Sequence, residues 1–376
     1  MHYHWALDRH VVHLNHGSFG ATPRVVLDAQ RRWRDLLEEN PTGFFEDRYH
    51  DALDEARVAL AEFVGEDPEA LAFVPNATSG VASVVNGLEL ATGDEILVTN
   101  HAYNACRNTV AVAAARAGAE VVTAPIPFPG TTPDAAVEAV LSRVTARTKL
   151  VLVDHVTSPT ALVLPVEPIV TALEPDVPVL VDGAHAPGMV PLDLRALGAS
   201  YYAGNLHKWV CAPKGAGFLA VAARHRDSVR PTVISHGWNR PRGDASMFHR
   251  LFDWTGTFDP TAWLSVPAAL ELMAGLHVDG WPGVMAANRR LALEARDLLV
   301  GRIGVAVPAP DDMIGSMAAI PLGGPRPDLA LRLRAAGIVA IVFPWPGPDH
   351  AVLRVSAQRY NTLDEYERLA ATILAE

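Results

Sequence analysis

Lys208 follows a histidine in the run Ala203-Gly-Asn-Leu-His-Lys-Trp209, shortly after an apolar strand that ends in Val181-Asp-Gly-Ala-His185. A lysine in such surroundings is seldom there without a reason. Removed from water, its amine loses its proton more easily and condenses with carbonyls, which makes Lys208 a candidate for a Schiff base to a carbonyl cofactor. A cofactor of the electron-sink type asks further groups of the protein. A carboxylate at the end of a buried strand must keep a ring nitrogen protonated, and Asp182 ends such a strand. A phosphate needs a helix N-terminus, and Ala77 and Thr78 start one, with His207 beside the lysine. A flat side chain must lie on the ring, and Tyr103 or His101 offers one. A cation must take a substrate carboxylate, and Arg354, in Leu-Arg-Val-Ser, carries a fork that binds carboxylates bidentately. Each residue alone has a plainer reading. Asp182 could cap a turn, Arg354 could sit at a sheet edge, and His185 and His207 could be satisfied core histidines. Their joint order and spacing favour the cofactor site.

The surrounding pattern is that of an α/β protein. Leu71-Ala-Phe-Val-Pro reads as a strand, followed by the small polar turn Asn76-Ala-Thr-Ser-Gly80 and an apolar helix over 81–90. That arrangement presents backbone N–H groups and a positive dipole end to an anion. It lacks the lysine of a nucleotide P-loop, and with no Gly-x-Gly-x-x-Gly turn a nicotinamide cofactor has no anchor. Further strands are expected at 95–99, 119–124, 149–154, 179–182, 201–204 and 217–221. The near-continuous apolar character of 149–154 and 179–182 marks a parallel sheet buried on both faces. Helical spacing is found at 24–39, 51–64, 134–145 and in the stretch ending near 116. Residues 232–263 read as a long loop rich in glycine and aromatics, a length that usually serves function. From about 264 the texture changes to an α+β pattern, with helices at 264–276, 282–301, 327–336 and 363–375 and strands at 304–307, 317–320 and 338–342. The expected organisation is an N-terminal arm (1–20), a large domain with a mostly parallel sheet flanked by helices (21–263) and a smaller α+β C-terminal domain (264–376).

Composition bounds the possibilities. The chain has 376 residues, 49% of them hydrophobic, and a net charge of −11 from 31 basic and 42 acidic side chains. That balance argues against nucleic acid and anionic membranes as partners. Two cysteines, Cys106 and Cys211, are too few for a disulfide framework or a cysteine metal cage and suit a reducing cytoplasm. No signal-peptide core and no long apolar run occur, so a cytoplasmic protein without bound metal is expected.

The set Asn76-Ala-Thr-Ser, Val181-Asp-Gly-Ala-His-Ala-Pro-Gly, Ala203-Gly-Asn-Leu-His-Lys-Trp and Leu353-Arg-Val-Ser resembles the class V aminotransferase superfamily of pyridoxal phosphate (PLP) enzymes, fold type I. Leu14-Asn-His-Gly-Ser-Phe-Gly, Trp254-Thr-Gly-Thr and the run 204–218 are similar to its isopenicillin N epimerase-like branch, which lies beside cysteine-conjugate C–S lyases. The resemblance implies that Lys208 forms the PLP aldimine and moves the Cα proton. It implies that Asp182 pairs with the pyridine nitrogen, that His185 and Ser158 lie near the ring oxygen, and that Ala77, Thr78 and His207 hold the phosphate. Asn205 stands where many members have a serine in contact with that phosphate. Thr257 would reach the phosphate of a neighbouring subunit, making a homodimer with shared active sites. Arg354 and Asn15 would take the substrate carboxylate.

Loops rather than the sheet decide the reaction. Desulfuration needs a mobile thiol near Arg354, and the stretch 343–351 has no cysteine. Epimerisation needs a proton donor on each face of the carbanion, such as Lys208 and Tyr103 or His101. β-Elimination needs only Lys208 and a thiolate that leaves by itself. The expected activity is therefore a β-eliminating C–S lyase on an S-conjugated cysteine of specialised metabolism. Epimerisation and decarboxylation-coupled oxidative deamination are the alternatives, and a PLP-fold sensor without turnover is the non-enzymatic one. Phe44, Phe45, Arg48, His236, Trp238, Arg240 and Phe248 could line a pocket for a bulky polar substituent or form a dimer interface.

Overall fold

The computed structural model describes residues 2–375; the outermost residues of the expected arm and small domain, Met1 and Glu376, lie outside it. The strands are β1 (Val12–His13), β2 (Leu71–Val74), β3 (Glu95–Thr99), β4 (Glu120–Ala124), β5 (Thr148–Asp154), β6 (Val179–Gly183), β7 (Tyr201–Asn205), β8 (Gly217–Val221), β9 (Met317–Pro321), β10 (Ile338–Val339), β11 (Ile341–Pro344) and β12 (Ala351–Ser356). Seven form the main sheet in the order β2-β8-β7-β6-β5-β3-β4. It is parallel except for β8, which runs antiparallel to both neighbours.

The apolar runs of β5 and β6 follow from this position. Side chains alternate between faces along a strand. Val151, Val153, Val179 and Val181 join one core with Leu53, Leu60 and Ile169. Leu150, Leu152 and Leu180 join a second core with Val81, Val84 and Val110. A strand covered by helices on both sides has no polar face to show, which is the α/β architecture expected from the sequence.

A second, antiparallel sheet, β11-β12-β9, packs under the helices Gly280–Ile303 and Leu363–Leu374. Its core contains Leu299, Ile320, Leu353 and Tyr366, and also Val12 and Leu14 from the N-terminal end. β1 pairs in parallel with β10. Val266, Ala269 and Leu270, in the helix Val266–Ala274, share the core of the main sheet.

Several expected boundaries shift. Residues 304–307 form no strand, because Gly304 takes a left-handed conformation (φ 78°) and caps the helix Gly280–Ile303, its N–H bonding the Val300 carbonyl. The run 338–342 divides at Ala340 into β10 and β11, which belong to different sheets. The helix expected at 81–90 instead begins at Ala77 and ends at Val85, because the Asn76 side chain caps it by accepting from the Ser79 N–H. After the break at Asn40, residues 41–48 wind helically into the helix Tyr49–Val64.

Candidate active site

The C-terminal ends of β5, β6 and β7 open into one cavity of about 590 Å³, the position where open parallel sheets bind ligands. Asp154 ends β5, Asp182 lies at the end of β6, and the chain leaving β7 reaches Lys208 within a few residues. Lys208 is held from behind. His16 Nε2–H donates to its carbonyl at 3.0 Å, and His16 Nδ1 faces the Tyr360 hydroxyl at 3.0 Å. Gly20, at φ 68°, lies so close that a Cβ there would stand 1.9 Å from the His207 carbonyl oxygen. The arm therefore presses on the backbone that carries the lysine, and only glycine permits that approach.

Lys208 Nζ lies 3.1 Å from His185 Nε2. Burial, reinforced by the Arg354 charge, draws the Lys208 pKa from 10.5 down to about 7, against the opposing pull of Asp182. A large fraction of the amine is thus free base near neutrality, as a nucleophile toward an aldehyde requires. Burial with the neighbouring Lys208 charge keeps His185 neutral.

Both oxygens of Asp182 accept hydrogen bonds, Oδ1 from the Ala184 N–H at 3.0 Å and Oδ2 from the Cys106 thiol at 3.1 Å. Burial raises its carboxyl pKa, while these two donors and Lys208 favour the anion. Cys106 is therefore a partner of the site's principal acid. The buried atoms His185 Nδ1 and Asp154 Oδ2 have no hydrogen-bond partner. Unpaired buried polar atoms on a cavity wall are costly and indicate a polar ligand.

At the other end of the cavity, the structure changes the expected phosphate cradle. The Ala77 N–H already donates to Asn205 Oδ1 at 2.8 Å and the Ala77 side chain is buried, so that amide is not free for a phosphate, whereas Asn205 itself lines the cavity. Asn205 has taken the role of an internal cap. Thr78, with the helix-end N–H next in line, and His207 do line the cavity. His207 Nδ1–H donates to the Ala216 carbonyl at 3.2 Å, so Nε2 carries a proton only in the imidazolium form. Burial and then Lys208 depress that pKa to about 4 in the absence of an anion. Lys214, which the sequence reading left out, also faces this space.

Arg354 comes from β12 of the second sheet and is 1% exposed. Nη1 donates to the Ser158 carbonyl at 2.6 Å and Oγ at 3.3 Å, while Nη2 donates to Ser18 Oγ at 2.9 Å and Asn15 Oδ1 at 3.3 Å. Nε has no partner, the four oxygens that accept from the guanidinium are all neutral, and the Phe343 ring lies 5.2 Å from its carbon. A buried cation lacking a counter-ion, one residue away from cavity-lining Ser18 and Ser158, suits a carboxylate. Ser158 is thereby tied to Arg354, next to the cavity where a ring oxygen was expected.

Other expectations are not met. His101 is buried away from the cavity, with Nε2–H on the Ile126 carbonyl at 2.9 Å, Nδ1 on Thr160 Oγ1 at 2.6 Å and its ring 4.7 Å from Trp345. Tyr103 alone of the two borders the cavity. Phe44 is a core residue, packed in edge contact on Trp33 and Phe45, and Phe45 packs on Trp254. Arg48 lines a separate hollow with Asn40 and Asp47. Trp238 is exposed, with Arg230 over its ring, and Phe248 is core. None of them lines the cavity of Lys208 within this chain, because the helical winding of 41–48 turns the aromatics inward. Thr257 is exposed, outside that cavity.

A lysine of depressed pKa, a buried strand-end carboxylate and a helix N-terminus around one cavity, with an unneutralised arginine behind its Ser18 and Ser158 wall, fit a phosphorylated pyridine aldehyde and an amino acid. Comparison with known proteins agrees. The model of the family "Aminotransferase class-V" matches residues 20–369. The chain is 36% identical to isopenicillin N epimerase of Amycolatopsis lactamdurans, over 98% of this chain and 96% of that one. It is 27% identical to L-cysteine desulfhydrase of Arabidopsis thaliana, over 96% and 87%. Among solved structures, the cystine C–S lyase C-DES in complex with cysteine persulfide superposes with a TM-score of 0.82 at 22% identity, covering 96% of each chain, a likeness of fold.

Proposed function

Since the chain belongs to the class V aminotransferase family, whose cofactor is pyridoxal 5'-phosphate, we propose that it is a β-eliminating C–S lyase acting on an S-substituted L-cysteine of specialised metabolism. When bound, the cofactor's protonated pyridine ring takes up the electron pair released as the Cα proton departs. The rest of the chemistry belongs to this chain. Lys208 anchors the aldehyde and, once displaced by substrate, accepts the Cα proton at Nζ. Asp182 holds the pyridine nitrogen protonated, with Cys106 and the Ala184 amide fixing its two oxygens. Tyr103 lies against the ring, and His185 serves its oxygen. Thr78 and His207 hold the phosphate, and that contact requires His207 to take up a proton. Arg354, oriented by Ser18, Asn15 and Ser158, receives the substrate carboxylate. The net reaction consumes the conjugate and water and yields a thiol, pyruvate and ammonia.

The observation that carries this reading is the buried Lys208 amine on the cavity wall, its pKa drawn down to about 7 so that it can accept a proton near neutrality. Elimination of a thiolate requires one proton acceptor and no donor on the opposite face. A second reading is epimerisation. It is favoured by the 36% identity to isopenicillin N epimerase and by Tyr103, which lines the same cavity from a different element and could supply the second proton.

The two separate in one experiment. PLP-loaded protein is incubated with S-alkyl-L-cysteines in deuterium oxide. Equimolar pyruvate and thiol support the lyase. Recovery of deuterated, configurationally mixed amino acid without thiol overturns it in favour of the epimerase. We further propose a homodimer, since Phe19 (75% exposed) and Tyr103 (44% exposed) leave apolar surface at the cavity mouth that a second copy would cover. A cytoplasmic location belongs to the same proposal. Among the described residues no helix is long and apolar enough to cross a membrane, and no cluster of three or more His, Cys, Asp or Glu side chains could hold a metal.

A further inference from the structure

Asp154 and Asp182 are register partners in the adjacent parallel strands β5 and β6. Side chains at paired positions of neighbouring strands leave the sheet on the same face. Both carboxyls accordingly line the cavity, and each residue is 3% exposed. Two carboxylates side by side and out of water do not both stay ionised; a proton is retained between them.

The surroundings decide which of them keeps it. Asp182 accepts a hydrogen bond on each oxygen, which stabilises its anion. Nearby backbone amides, that of Tyr103 among them, only temper the Asp154 carboxyl, and its Oδ2 has no partner at all. The charged groups that act on Asp154 are Asp182 on β6 and Lys208 beyond β7, and the Cys106 thiol of the helix Asn104–Ala117 is directed at Asp182. No ion pair reaches either aspartate among the described residues. An ionised Asp154 would stand beside an existing anion with one oxygen unsolvated, whereas a protonated Asp154 removes both penalties.

We propose that Asp154 is a positioning residue for the cofactor: it is held as a neutral acid next to Asp182, so that the pair carries one negative charge, localised on Asp182 and matched to one pyridinium. The inference rests on Asp182 serving the pyridine nitrogen and is independent of what leaves from the substrate.

The test uses full-length protein with PLP added back, reading PLP affinity, the absorption of bound PLP and infrared difference spectra. At neutral pH the wild type minus D154N difference should show a carboxylic-acid band. D154N, neutral and isosteric, should bind PLP within about threefold of wild type with an unshifted absorption band, while D154A, which leaves a void beside Asp182, should bind about tenfold more weakly. D182N should be the weakest binder of the set and should shift the absorption band. The proposal is overturned by a carboxylate rather than an acid band in the difference spectrum, or by D154N losing as much affinity as D182N, since Asp154 would then carry the charge. If D154A does not fold, the wild type and D154N comparison decides alone. If D182N leaves both affinity and spectrum unchanged, the assignment of Asp182 to the nitrogen fails, and the role of Asp154 fails with it.

Discussion

Two groups of buried acid in this protein are resolved in opposite ways. Asp253 lies between two arginines, taking Arg57 Nη2 at 2.6 Å and Arg242 Nη2 at 2.8 Å, and the Tyr49 hydroxyl donates to its carbonyl at 2.6 Å. That cluster fastens the 232–260 segment to the helix Tyr49–Val64, with both carboxylate oxygens of Asp253 ion-paired. Asp154 and Asp182, on the cavity floor, have an amide, a thiol and one unpaired oxygen, and no arginine. Burial raises the carboxyl pKa in both places, but only Asp253 has two guanidinium groups pulling it back. A compensated buried charge is a joint of the fold; an uncompensated one is a socket for a ligand.

Substitutions can set the two clusters against each other. The largest effect is expected from K208A, which should abolish thiol and pyruvate release and the yellow absorption of bound PLP. Because the lost group is a buried amine without an acidic partner in contact, the apo-protein's thermal midpoint should not fall. R57A should do the reverse. It leaves Asp253 with Arg242 alone and should cost about 3–5 kcal/mol of stability, read by urea unfolding, while the folded fraction keeps the PLP spectrum. A stable R57A, or a K208A that loses the fold, would erase the distinction.

R354K comes next. A point charge cannot span Ser18, Ser158 and a carboxylate together, and KM should rise about 10- to 100-fold with a smaller change in kcat. The pH dependence of apo-protein follows from Lys208. Its folded pKa is depressed to about 7 from 10.5, so below about 7 the amine is protonated and cannot attack the aldehyde. The rate of PLP capture, followed by stopped-flow absorbance, should fall about tenfold per pH unit below that point. On the stability side, the unfolded amine still binds its proton between about 7 and 10.5 while the folded one does not. This residue therefore contributes increasing stability as pH rises through that window. C106A should have the smallest effect, about 1 kcal/mol or less, because a thiol is a weak donor; a slight shift of the bound PLP absorption would register it.

Much of the site can be read in the sequence because it is written at strand ends. Lys208, Asp182, His185 and Thr78 lie where an apolar run stops, and the structure brings all of them to one cavity. Asp154 carries the same signal, an aspartate closing a buried strand, yet it drew no attention because no chemistry had been assigned to a second acid. His101 and Tyr103 could not be separated, since two residues in a turn point to different sides according to how the turn closes. The aromatic pair Phe44 and Phe45 read as pocket or interface residues, whereas the chain resumes winding directly after Asn40 and turns them inward. The engagement of Ala77 by Asn205 is a contact across 128 residues of chain that no local pattern reveals.

The pairing of β1 with β10 has a consequence for the order of events during synthesis. Residues 12–18 leave the ribosome well before their strand partner β10 and the guanidinium that Asn15 and Ser18 hold. The main sheet can form earlier, with Asp182 and Lys208 in place, while Arg354, the proposed carboxylate receptor, waits for the later segment. A nascent or C-terminally truncated chain would thus capture the cofactor before it could orient a substrate.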